Sequence, residues 1–201
     1  MELCLDDASC LGLLLESEQL EDTGFVNPLF QWELRVLYLN GIPGIYAVNS
    51  AVRYRVFLYR ICRGDLQRLK EQTLWAIRAQ MLSDGFPPQW VEQYIQLAGK
   101  PKAVHLSCHP QPEDTLHLMT LLGRKGVWEA LKSGMLYSLL NHDSAVVTMT
   151  EPEAPSVSER WLPASEEERQ DVCWKFHQAV EELLESEGLL EKQPRDFRSG
   201  C

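Results

Sequence analysis

At 201 residues, the chain has room for one sizeable domain with or without an appended element. An apolar fraction of 45% excludes a disordered chain, and no apolar run approaches the roughly 18 residues needed to span a bilayer. The net charge of −10 is unevenly spread: residues 1–34 carry eight acids and no Lys or Arg, residues 51–80 carry seven bases against two acids, and residues 151–201 carry thirteen acids against six bases.

In chain order, residues 1–5 alternate as a short strand with Met1, Leu3 and Leu5 on one face. Asp6 or Asp7 can cap a helix that runs to about residue 16. Residues 18–27 form a polar loop, and Asn27-Pro28 marks its end. Residues 31–61 are the longest β-prone run and the expected organiser of the fold. Within them, 31–40 reads as a strand with Trp32, Leu34, Val36 and Tyr38 facing one way and Glu33 and Arg35 the other. Residues 40–44 read as a turn, 45–50 as the antiparallel return and 52–61 as a third strand.

Gly64-Asp65 opens a helix to about residue 84, with Leu66, Leu69, Thr73, Ile77 and Met81 at helical spacing and Gly85 as its stop. Pro87-Pro88 starts another, with Trp90, Val91, Tyr94, Ile95 and Ala98 on its apolar side, and Gly99 ends it. A short strand over 102–108 and helical turns over 113–122 and 127–131 follow, with a further short strand over 145–149. Residues 150–158 have linker composition. Ser165 with Glu168 is a capping-box pattern opening a helix to about residue 187, striped by Val172, Phe176, Val180 and Leu183 or Leu184. The expected fold class is α+β: an antiparallel β-meander flanked by several helices, in a core domain over 1–150. Residues 151–201 supply a linker and a C-terminal amphipathic helix, expected to pack on the core.

Several features in that order carry a family resemblance. They are Trp32 opening a strand, a strand ending in Val48-Asn49, a basic strand and long helix, and a helix begun by Gly85-Phe86-Pro87 that carries Val91, Glu92 and Tyr94. From residue 1 to about residue 122 the chain resembles a small bacterial family of unknown function. The resemblance implies a fold and no activity. Where the family shows a small polar and basic patch after the last strand, this chain has Ser107-Cys108-His109-Pro110.

Candidate chemistry is sparse. His105, Cys108, His109 and His117 are the one cluster of metal-type ligands, but structural zinc takes four ligands at paired spacings that are missing here, so no metal is expected. Cys62, flanked by Arg60 and Arg63, is a candidate nucleophile, with a buried small hydrophobe as the commoner alternative. Phosphate-binding loops, dinucleotide fingerprints, nucleophile elbows and zinc-protease motifs are absent, so no cofactor is expected and an enzyme is disfavoured. Six scattered cysteines without C-x-x-C read as reduced thiols, and with no basic leader at residue 1 this makes a cytoplasmic protein the expectation.

The arginines are the best hint of a binding site: Arg53 and Arg55 on one face of the third strand, Arg60 and Arg63 near its end, and Arg68 on the next helix. They can grip phosphate, with Tyr54 or Tyr59 as stacking surfaces, or they can pair with the chain's own acidic segments. The acidic totals favour pairing and weigh against nucleic acid. The expectation is therefore a cytoplasmic, non-enzymatic binding or regulatory module working through a protein partner or a homo-oligomer. A nucleic-acid binder using the basic band is the alternative, and an enzyme with a Cys or His site the third reading. No membrane association is expected.

Overall fold

The structure, a computed structural model, describes residues 1–24, 26–39, 41–105, 145–147, 161–163 and 172–190. Its centre is a five-stranded sheet built from β1 (Glu2–Leu5), β2 (Gln31–Leu39), β3 (Ile42–Asn49), β4 (Arg55–Tyr59) and β5 (Lys102–His105), in the order β4-β3-β2-β1-β5. The meander β2-β3-β4 is antiparallel, as its alternation predicts. β1 then runs parallel to both β2 and β5, so the sheet as a whole is mixed. Four helices accompany it among the described residues: α1 (Asp7–Leu13), α2 (Leu66–Ser83), α3 (Pro88–Ala98) and α4 (Val172–Ser186). A separate antiparallel pair, β6 (Ala145–Val147) and β7 (Trp161–Pro163), forms its own two-stranded sheet.

Local chemistry sets the element ends. The Asp6 carboxylate accepts from the Ser9 N–H at 2.7 Å and starts α1, which ends three residues short of the predicted boundary because Leu14 turns left-handed, at φ 57°. Asp65 caps α2 the same way, accepting from the Arg68 N–H at 2.9 Å. The β2-β3 connection is tighter than the predicted five-residue turn. Leu39 pairs with Ile42, and Gly44 lies inside β3 opposite Leu37 and Tyr59. A Cβ on Gly44 would stand 2.8 Å from the Leu58 carbonyl, so the close approach of β3 and β4 requires glycine there.

The third strand is likewise shorter than the predicted 52–61. Asn49, fully buried, closes the β3-β4 connection: its Nδ2 donates to the Leu29 carbonyl at 2.9 Å and its Oδ1 accepts from the Ala51 N–H at 3.1 Å. Arg53 then takes a left-handed φ of 60° and donates its N–H to the Asn49 carbonyl. Arg53 thus precedes β4, and it does not share a strand with Arg55.

One sheet face carries Leu3, Leu5, Trp32, Leu34, Ile45, Ala47, Val56 and Leu58 into the main core under the helices. The stripe predicted for α2 is the buried one at Leu69, Thr73, Ile77 and Met81. Phe176 of α4 is fully buried in the aromatic centre, stacked on Tyr54 with ring centroids 4.3 Å apart and edge-on to Trp32 at 6.0 Å and Tyr94 at 5.6 Å. The polar tips stay satisfied: Trp32 Nε1 donates to the Tyr94 hydroxyl, which donates to the Leu29 carbonyl, and the Tyr54 hydroxyl donates to Asp84 at 2.6 Å. Burial pushes the Tyr94 and Tyr54 hydroxyls above the ordinary phenol range, and for Tyr54 the Asp84 carboxylate adds to the shift.

The opposite face is polar at its centre. Cys4, Glu33, Val48 and Arg55 lie in one row across the strands, with Arg35, Tyr46 and Phe57 in the next. Glu2 is buried, with Oε1 accepting from the Gly24 N–H and Oε2 from Gln31 Nε2, both at 2.9 Å.

Candidate interaction surface

Tertiary structure sorts the five candidate arginines into two groups. Arg53 turns onto the polar sheet face, where its Nη1 donates to Glu33 Oε1 at 2.8 Å, and Arg35 reaches the same carboxylate at 3.3 Å. Arg55 is half-buried in the same row as Glu33. Arg60, Arg63 and Arg68 are exposed at the other end of β4 and the start of α2. Arg60 sits over the Tyr59 ring at 5.6 Å, and Arg63 Nη1 lies 3.5 Å from the Tyr38 hydroxyl. Neither these two nor Arg68 has a carboxylate partner among the described residues. Lys70 and Lys102 both reach Glu21, at 3.8 and 3.3 Å, and Arg78 pairs with Glu92. The acidic N-terminal segment therefore neutralises Arg53, Lys70 and Lys102 and leaves this trio uncovered.

Around the trio lie apolar groups that the sequence pattern does not single out. The Tyr38 hydroxyl donates to the Gly12 carbonyl at 2.8 Å, and the Gly64 N–H donates to the Leu13 carbonyl at 2.8 Å. Those two bonds hold the end of α1, the end of β2 and the loop after β4 together. On that shared corner Leu11 is 77% exposed, Leu14 62% and Tyr38 50%. Beside β4, a small open pocket of about 90 Å³ is lined by Leu58, Tyr59, Ile61, Gln72, Trp75 and Ala76. Trp75 at its rim is 63% exposed, and the buried Gln72 Oε1 has no hydrogen-bond donor among the described residues. The signal for Trp75 was available in principle: it falls off the Leu69-Thr73-Ile77 stripe of its helix and so faces outward.

The corner and the pocket thus group exposed leucines and aromatic side chains with three arginines that have no carboxylate partner among the described residues. Residues 8–105 match the model of a domain of unknown function (DUF6933). That match spans α1 to β5, falls inside the resemblance read from residues 1 to about 122, and includes every residue of the corner, the pocket and the arginine trio. It leaves out β1, the strand between β2 and β5, and α4, which supplies Phe176. No curated protein and no solved structure matches the chain.

Cys108, His109 and His117 lie outside the described residues, as do the capping box at 165–168 and the helical turns at 113–131. His105 is exposed and its Nε2 lies 2.8 Å from Asp7 Oδ1. Among the described residues no group of three His, Cys, Asp or Glu side chains is placed to hold a metal ion. Cys62 is half-buried, and Cys4, Cys10, Cys62 and Cys173 are all free thiols. Burial pushes the Cys4 thiol up to about 12, with Glu2 and Glu33 adding to the shift, so it stays a neutral, inert thiol at neutral pH. No helix among the described residues is long and apolar enough to cross a membrane.

Proposed function

We propose that the chain is a cytoplasmic, non-enzymatic binding module that acts through protein contacts made at the corner of Leu11, Leu14, Tyr38 and Trp75 around Arg60, Arg63 and Arg68. The observation that carries the reading is the pairing of exposed large apolar groups with three cations that no described carboxylate neutralises. Exposed Trp, Tyr and Arg are the residues that most often carry binding energy at protein interfaces. Leu14 supports it further. A leucine in the left-handed region is strained by about 1–2 kcal/mol, and burial does not offset that strain for a side chain 62% exposed. The free thiols fit a reducing compartment.

The test compares partners captured by chemical crosslinking with the wild-type chain and with an R60E/R63E/W75A variant of equal thermal stability. The wild type retains a partner set that the variant loses. Identical sets from both chains, or turnover of any substrate in a broad enzymatic panel by purified wild-type protein, overturns the reading.

A further inference from the structure

The two edges of the main sheet are treated differently. At the β5 edge, the Glu21 N–H donates to the Ala103 carbonyl at 2.8 Å, so an approaching strand meets an occupied position. At the β4 edge no described residue pairs with the strand. The bonding pattern shows which groups face outward. The Asn49 N–H donates to the Tyr54 carbonyl at 2.8 Å, so the Tyr54 carbonyl faces β3. The register continues through Ala47 with Val56 and Ile45 with Leu58. Antiparallel alternation then turns the main-chain N–H and C=O of Phe57 and Tyr59 away from β3. The pocket of Leu58, Tyr59, Ile61, Gln72, Trp75 and Ala76 lies alongside this edge, and Arg60, at a left-handed φ of 62°, follows the last strand residue directly.

We propose that an extended acidic segment of a partner protein adds to the β4 edge as a sixth strand. This rests on the binding-module reading and names the partner's chemistry. The main-chain groups of Phe57 and Tyr59 supply the ladder. A large apolar side chain of the incoming segment fills the pocket against Trp75 and Tyr59, and a donor beside it meets the Gln72 Oε1 acceptor. Carboxylates flanking that anchor meet Arg60, Arg63 and Arg68. This is strand addition, in which main-chain bonds give affinity and side-chain pockets give specificity. Charge decides among occupants. A second copy pairing two-fold about Phe57 would set Arg55 of one chain opposite Tyr59 of the other and Arg60 opposite Tyr54, and the paired segment carries no carboxylate to meet the arginines. A nucleic-acid strand has phosphates for the arginines and no main-chain amides to pair with the strand edge.

The test selects twelve-residue peptides from a random displayed library against the full chain and measures the affinity of synthesised hits by fluorescence anisotropy. Acidic peptides with one aromatic or large aliphatic residue emerge. Their affinity falls about tenfold or more in R60E/R63E, in Trp75→Ala, and when alternate peptide amides are N-methylated. N-methylation leaves the protein untouched, so its effect cannot come from misfolding. Hits that lose affinity in R60E/R63E and tolerate N-methylation overturn strand addition and leave the binding-module reading standing. A selection without acidic hits overturns the proposed partner chemistry. Competition of the hits by an oligo(dT) twenty-mer at low salt reassigns the arginines to phosphate and overturns it as well. A dimer in sedimentation that dissociates in Trp75→Ala assigns the edge to a second copy, with the same consequence.

Discussion

Two groups of aromatic and aliphatic side chains, alike in composition, end in opposite environments. Trp32, Tyr54, Phe86, Tyr94 and Phe176 interlock under the helices, with the Trp32, Tyr54 and Tyr94 polar tips bonded. Leu11, Leu14, Tyr38 and Trp75 stand out in solvent beside arginines that meet no described carboxylate. The first group uses its apolar area to stabilise the fold. The second leaves that area exposed, which is the feature the proposed binding role rests on. The contrast teaches that residue type does not separate core from exposed surface here; position on the helix and strand faces does.

The sharpest way to break the contrast is to truncate each side of it. Phe176→Ala removes the ring stacked on Tyr54 and lowers stability by about 3–5 kcal/mol, read from urea or thermal unfolding. A smaller effect would mean that α4 contributes little to the core. Gly44→Ala forces a Cβ to 2.8 Å from the Leu58 carbonyl and lowers stability by about 1–3 kcal/mol, with β4 as the element displaced.

The buried group also predicts a pH response. Cys4 is raised from about 9 when unfolded to about 12 in the fold, and Tyr54 and Tyr94 are raised above the phenol range. For acids whose folded value is raised, the folded state holds the proton more tightly. The stability this contributes is fully present below the unfolded value and is lost as pH rises towards the folded one. Unfolding midpoints therefore fall from about pH 9 upward, and Cys4→Ala makes the onset shallower between pH 9 and 12.

The outer group responds weakly or in the opposite direction. Leu14→Gly relieves the left-handed strain and raises stability by up to about 1 kcal/mol in thermal unfolding. Trp75→Ala, at a side chain 63% exposed, changes stability by less than about 0.5 kcal/mol while reducing partner binding. A large loss of stability at Trp75 would place it with the core group and erase the distinction.

Much of the architecture was legible from local signals. The caps at Asp6 and Asp65, the α2 stripe and the β2-β3-β4 alternation act over neighbouring residues, and the structure has them where those signals put them. The boundaries that moved did so for local reasons that only packing reveals. Gly44 belongs to a strand because the Leu58 carbonyl passes it closely, and β4 begins at Arg55 because Asn49 organises the preceding turn. The parallel placement of β1 between β2 and β5 joins residues some thirty and a hundred positions apart, and no periodicity encodes such a pairing.

The sequence by itself determined the fold class, the order of the main elements and the presence of a basic stretch between acidic ends. Only the tertiary structure decided how the charges of that stretch are partnered. Its seven bases look alike in sequence, yet Arg53 meets Glu33, Lys70 meets Glu21 and Arg78 meets Glu92, while Arg60, Arg63 and Arg68 meet no described carboxylate. The reason is range: a helix or strand forms from neighbours, whereas a charge is neutralised by whichever partner folding brings within a few ångströms.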